Sequence, residues 1–369
     1  GQNVRHLEPM GFIKFDILGL STLRMIESCI DKILRKSFGF TEVLFEDVRD
    51  FYNMYLHPDK INLNDTEVYE NIFHSGKWAG IFQFTESGAQ NFCSNVKPNS
   101  IIDISAITSI FRPGPLSAQV DKNYIDAIRA PEKVKYLNDV HREITEETYG
   151  FLIFQEQIAL LAHKLGKDLT LDEGNLLRKV LTKKGTGKGH EVKDKIYKKF
   201  CAGCIEKGLT QRDADELWSS FEFFSGYGFN KSHAVSYSIL SYQCAWLLHY
   251  HPAEWLAAFL DKEPESRKEK AINIAKKMGY AISPLDINMS TYSWEVSDEG
   301  TSLIQPFSSI KGLGDAAVKQ IMDNRPFDNI EDFLFNENIV YSKLNKKALD
   351  VLVRSEALKP LMDDRFTGL

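Results

Sequence analysis

The sequence predicts an α+β chain that is mostly helical, and three observations carry that prediction. Between 100 and 262 apolar residues recur at helical spacing in successive blocks separated by Pro and Gly. Residues 12–18 (FIKFDIL) alternate as a buried strand would. Residues 280–305 break into short β-like pieces before two further helical stretches at 314–324 and 344–353.

Taken in order, Gly19 ends the first strand, and 21–36 (STLRMIESCIDKILRK) read as a helix with Ser21 as N-cap. Residues 58–75 read as a loop and a short helix begun by Asp65 or Thr66. Helices are expected at 155–166, 170–182, 191–207, 210–224 and 234–248, with loops at RPGP (112–115) and GTGKG (185–189). Residues 263–272 are a charged stretch, and a domain boundary is placed there. No long repeat or low-complexity segment interrupts the chain.

Composition bounds the function. A chain of 369 residues, 43% hydrophobic and 26% charged, suits two or three soluble domains. No apolar run reaches the ~18 residues of a membrane span. The chain opens on Gly1 and not Met, which suggests a trimmed or processed product or a piece of a longer protein. Five scattered cysteines (Cys29, Cys93, Cys201, Cys204, Cys244) fit a reducing cytoplasm better than a disulfide framework. Net charge is −6, from 45 basic and 51 acidic residues. Residues 178–199 depart from that average: nine basic residues face only Glu191 and Asp194, a local +7 that suits an anionic partner.

Five segments carry candidate chemistry, each with a competing structural reading. Asp16 in KFDILG is a carboxylate between apolar neighbours, either a Mg²⁺ ligand or a turn cap paired with Lys14. In FRPGPL (111–116) two prolines stiffen a loop that could hold Arg112 against a phosphate, or form a plain turn. In LRKVLTKKGTGKG (177–189), Arg178, Lys179, Lys183 and Lys184 end a helix ahead of three glycines. They form a phosphate cradle or simply complement the helix dipole. No GxxxxGK[ST] occurs there, so an ATPase or kinase reading is weak. SGYGFNKSHA (225–234) gathers Asn230, Lys231, Ser232 and His233 at a helix N-terminus, where an anion is favoured, although Asn230 or Ser232 could be the N-cap alone. In IKGLGDAAVKQI (310–321), Lys311, Gly312 and Gly314 form a turn whose backbone could approach a nucleic-acid phosphate, or a packing joint without a ligand. Cys201-x-x-Cys204 has no second ligand pair and lies on an expected helix. Asp213-Ala-Asp215 reads as a solvated helix start.

In order along 12–358, KFDILGL, GIFQF, FRPGPL, YGFLIFQEQ, LLRKVLTKK, SGYGFNKSHAVSYSILSYQ, YHPAEW and IKGLG resemble the C-family polymerases, specifically the bacterial DNA polymerase III alpha-subunit branch. FRPGPL and FQEQ together place it nearer that branch than the other Gram-positive replicative one. The resemblance implies the last piece of a nucleotidyltransferase-like palm at 1–20, large helical fingers at 21–262 and a helix-hairpin-helix module at 263–369. It implies that Asp16 is the third of three palm aspartates holding two Mg²⁺ ions. Arg112, Arg178, Lys179, Lys183, Lys184 and Asn230 to His233 would face the incoming dNTP. Lys311, Gly312 and Gly314 would grip primer–template DNA. Thr182 stands where the family has glycine, which puts the fine phosphate geometry in doubt. Only 15 residues precede Asp16, and none forms the paired-aspartate motif, so a second polypeptide carrying the rest of the palm is expected. A sliding clamp is a candidate further partner, although no Qxxhx[FL]-type peptide is evident. The alternative expectation is a non-catalytic DNA- or nucleotide-binding module in which Asp16 is a relic.

Overall fold

The computed structural model describes residues 7, 10–13, 19–111, 117–182, 187–225 and 228–362, with side chains at 117–119, 182 and 187–188 left aside. Most of the expected strand at 12–18 therefore lies outside the described residues. Phe12 and Ile13 stand in no strand and are exposed, not buried.

Helix α1 (Ser21–Ser37) follows the expected stretch, but the cap differs. Leu20 occupies the N-cap position without a side-chain hydrogen bond. Ser21 is already the first helical residue, so its hydroxyl cannot reach the N–H groups an N-cap serves. Helix α2 (Phe45–Phe51) runs into a π-helical turn, and α3 (Thr66–Val68) into another, with Asp65 capping α3 through Glu67 N. Then come α4 (Ser87–Val96), α5 (Ile101–Ile110), α6 (Ser117–Arg129) and α7 (Asp139–Thr145). Four helices follow: α8 (Gln155–Leu165), α9 (Leu171–Thr182) and α11 (Gln211–Ser225) lie close to the expected places, whereas α10 (Gly187–Glu206) starts four residues before the expected 191 and takes Gly187 to Gly189 of the expected 185–189 loop into its first turn. Thr170 and Glu173 bond reciprocally at the start of α9, and Thr210 and Asp213 do so at α11. These are capping boxes, which is the role of Asp213. Helix α12 (Lys231–Tyr250) begins three residues before the expected 234 because Asn230 caps it.

Helices α13 (Pro252–Lys262) and α14 (Glu265–Lys277) follow, the second formed by the charged stretch read as a boundary. Ala271 and Ala275 bury its narrow apolar face. The β-like pieces become β1 (Ala281–Ser283), β2 (Glu295–Val296) and β3 (Ser302–Ile304) in the order β1-β3-β2, parallel then antiparallel. Helices α15 (Asp315–Asn324), α16 (Ile330–Leu334) and α17 (Lys346–Arg354) complete the elements.

The chain packs as two units, residues 49–252 and residues 1–48 with 253–369. In the first, α8 to α11 enclose Ile158, Leu161, Leu177, Phe200, Trp218 and Phe221. Gly203 on α10 permits this packing. A Cβ there would meet the backbone of Leu165, Gly166 and Lys167 at 2.3 Å. Helix α12 lies on α5 through small polar contacts, with the Ser105 hydroxyl donating to Ser238 Oγ at 2.9 Å. An aromatic cluster of Tyr69, Phe73, Phe84 and Tyr242 extends this core. In the second unit, Ile287, Phe307, Ile321, Phe333, Leu344 and Leu352 form the core. Buried Lys32 of α1 is tied there by Asp261 at 3.1 Å and by the Trp294 carbonyl at 2.5 Å.

Candidate functional site

The segment 153–157 is a brace for the start of α12. Phe154 and Phe229 form a parallel β-bridge: Phe229 N donates to Ile153 O at 3.1 Å, and Gln155 N donates to Phe229 O at 2.9 Å. Each polar residue after Phe154 then takes a separate partner. Gln155 Oε1 accepts from Arg178 Nη1 at 2.7 Å. Glu156 accepts Asn230 Nδ2 at 3.0 Å and the backbone N–H of Lys231 at 2.9 Å. Gln157, buried, accepts the N–H groups of Ile153 and Phe154 at 2.9 and 3.0 Å and donates to Thr148 Oγ1 at 2.8 Å.

The residues expected at the helix start are thus brought together. Asn230 Oδ1 caps α12 through His233 N at 2.9 Å and also accepts the Ser232 hydroxyl at 2.7 Å. Lys231 Nζ is held by both oxygens of Glu147, at 2.6 and 2.8 Å, and stands 5.8 Å from the centroid of the Phe154 ring. His233 is exposed, with its ring edge-on to Tyr237 at 4.1 Å. The N-terminal positive end of α12 therefore already carries one carboxylate, Glu156, and its lysine another, Glu147.

Arg178 is the exception to this saturation. Its Nε is buried and has no acceptor among the described residues. An unmatched charged donor is costly away from water, so this group calls for an acceptor. Lys179 is exposed on the same helix. Asp16, Arg112, Lys183 and Lys184 lie outside the described residues.

Sequence reasoning missed Glu147, Gln155, Glu156 and Gln157 as site-building residues. The available signal was the polar run QEQ directly after the apolar FLIF.

Nearby, Tyr149 donates to Asp103 Oδ1 at 3.2 Å, and burial pushes the Asp103 carboxyl up. On α6, Asp121 Oδ1 and the Tyr124 hydroxyl are buried with no partner among the described residues, and burial pushes the Asp121 carboxyl up to about 6.

In the other unit, Gly312 takes φ +99°, a left-handed conformation suited to glycine, and Gly314 is the N-cap of α15. A Cβ on Gly312 would touch Val351 of α17 at 3.4 Å. The turn therefore lies close against α17 with Lys311 exposed beside it. Cys201 and Cys204 are buried on α10, and burial pushes the Cys204 thiol up. Among the described residues no group of three or more His, Cys, Asp or Glu side chains is arranged to hold a metal, and no helix is long and apolar enough to cross a membrane.

The profile of the bacterial DNA polymerase III alpha subunit finger domain matches residues 37–208, and a helix-hairpin-helix profile matches 279–367. Both fall on the segments just described. This chain belongs to the DNA polymerase III alpha-subunit family. Curated alpha subunits share about a third of its residues: 32% identity with that of Thermus aquaticus over 97% of this chain and 28% of the relative. The alpha subunit of Borreliella burgdorferi is 32% identical over 98% and 30%, and that of Campylobacter jejuni 31% over 95% and 28%. The chain thus spans less than a third of the length of these relatives. Within this family, the finger profile covers the brace at 153–157 and Arg178, and the hairpin profile covers Lys311 to Gly314.

Proposed function

We propose that this chain is the nucleotide-receiving and DNA-gripping part of a template-directed DNA polymerase. Residues 1–20 would end the palm, 21–262 would form the fingers, and 263–369 would hold duplex DNA. The observation that carries the reading is Arg178, whose buried Nε lacks an acceptor beside the braced start of α12. A triphosphate oxygen would satisfy that donor. Ser232 and His233 stand exposed on the same braced turn, and Arg112, Lys183 and Lys184 would add charge. Lys231 would serve the phosphates only after leaving Glu147. Lys311 and the backbone of Gly312 and Gly314 would contact DNA phosphates, positioning the duplex without reading its sequence.

Asp16 would hold one position of the metal site. When bound, Mg²⁺ supplies charge neutralisation at the α-phosphate and activation of the primer 3′-hydroxyl. One carboxylate cannot hold two ions, so further palm aspartates must come from residues outside these 369. They belong either to the same polypeptide or to a second chain. The setting would be cytoplasmic, with a sliding clamp as a candidate further partner.

The experiment is primer extension by the natively purified protein, with its intact mass measured in parallel. The reading expects Mg²⁺-dependent synthesis that Asp16→Asn abolishes, together with a mass that accounts for the missing carboxylates. The second reading, a non-catalytic binding module, is favoured by the carboxylates that already occupy Lys231 and the α12 N-terminus. It expects salt-sensitive DNA binding without synthesis in any assembly.

A further inference from the structure

We infer that α17 supplies a second cationic arm to the hairpin, with Lys347 as the additional contact to the phosphodiester backbone of duplex DNA. This rests on the reading of Lys311 to Gly314 as a duplex-binding turn, and adds a helix outside that turn. The close approach begins at Gly312. The Cε of Lys347 lies 3.7 Å from where a Gly312 Cβ would be, and Val351, one turn further along the same face, fills the space at 3.4 Å. Because Gly312 has no side chain, the stem of Lys347 can run along the turn and carry its ammonium group to the turn's mouth.

Charge supports the same assignment. Lys311, Lys343, Lys346 and Lys347 are all exposed. None makes an ion pair among the described residues, whereas Lys319 and Arg354 nearby on α15 and α17 are paired with Asp323 and Asp350 at 3.0 Å each. Lys346 and Lys347 are the first two residues of α17, whose first turn contains no acid. Cations there oppose the helix dipole. Helix stability therefore argues against lysines at these positions, while an anionic ligand bridging α17 and the turn argues for them. The cleft beside the turn, about 630 Å³, is lined by Ser308, Ser309, Lys311, Val351 and Arg354 among others.

The test is fluorescence-anisotropy titration of labelled duplex DNA with the full 369-residue chain across a salt series. The variants are Lys347→Gln, Lys347→Arg, Lys311→Gln and the double glutamine variant. Each lost phosphate contact lowers the slope of log K against log salt by about 0.9, which is roughly five- to tenfold weaker binding at 0.1 M salt. Lys347→Gln is expected to show that loss and Lys347→Arg to retain the wild-type slope. Duplex binding by the wild type with Lys347→Gln indistinguishable from it would overturn this inference alone. No duplex binding by the wild type would overturn the hairpin reading and this inference together.

Discussion

Replacing Gln157 by leucine tests whether the 153–157 segment braces the start of α12. Leucine is close in size, so the core around α8 keeps its volume and the loss is polar. Gln157 Oε1 receives two backbone N–H groups, Ile153 at 2.9 Å and Phe154 at 3.0 Å, and the site is buried. Each orphaned donor costs about 1–3 kcal/mol, and the apolar side chain returns about 1 kcal/mol of transfer energy. The net loss is about 1–5 kcal/mol, which for a unit of this size lowers the melting midpoint by about 2–20 °C. The carbonyl of Ile153 and the amide of Gln155, on the same short segment, hold Phe229, so the loss should be felt there too. Thermal unfolding and hydrogen exchange at the Phe229 and Gln155 amides measure both effects. An unchanged midpoint with unchanged protection at 229 would refute the brace.

Other variants extend the account. Asp121→Asn should stabilise the chain by about 1 kcal/mol at pH 8, after discounting for solvent around the half-buried carboxyl. Burial raises that carboxyl to about 6, so its protonated form fits the fold; the penalty is absent below about pH 4 and grows as pH rises through 6. Urea unfolding at pH 4 and pH 8 should show the difference at the higher pH only. Gly203→Ala should cost about 3 kcal/mol, because its Cβ would meet backbone atoms at 2.3 Å that cannot rotate aside, and the urea midpoint reads this. Lys32→Met should cost about 2–3 kcal/mol by leaving Asp261 without its cation, and adding Asp261→Asn should recover part of the lost melting temperature.

Local patterns made much of the fold legible. The helices from α8 to α12 follow apolar spacing, and Asn230 was readable as a cap because a short polar side chain preceded a long helical run. The glycine turn at 312–314 was equally visible. What could not be read is nonlocal. Phe154 meets Phe229 across 75 positions, and no period or composition marks that bridge. The run QEQ at 155–157 looks like any polar helix start, yet one of its members is buried. Lys32 flanks the apolar stripe of α1 as a surface lysine would, and only a partner more than two hundred residues away explains its burial. The charged stretch at 263–272 showed no readable apolar face because its helix buries little more than two alanines. The site was likewise legible as residue types but not as pairings. Lys231 was readable as a candidate for an anionic partner, while the Glu147 that holds it was not.

The end of α9 beside the braced α12 start is the place proposed to receive a triphosphate. Steady-state primer extension with Arg178→Lys in the assembled polymerase tests it most directly. Lysine keeps the charge but loses the planar fork that serves Gln155 and that would serve a phosphate oxygen. The account predicts that KM for dNTP rises about tenfold, the value of about 1.4 kcal/mol for one charge-assisted hydrogen bond, while affinity for primer–template stays the same. An unchanged KM for dNTP would contradict it.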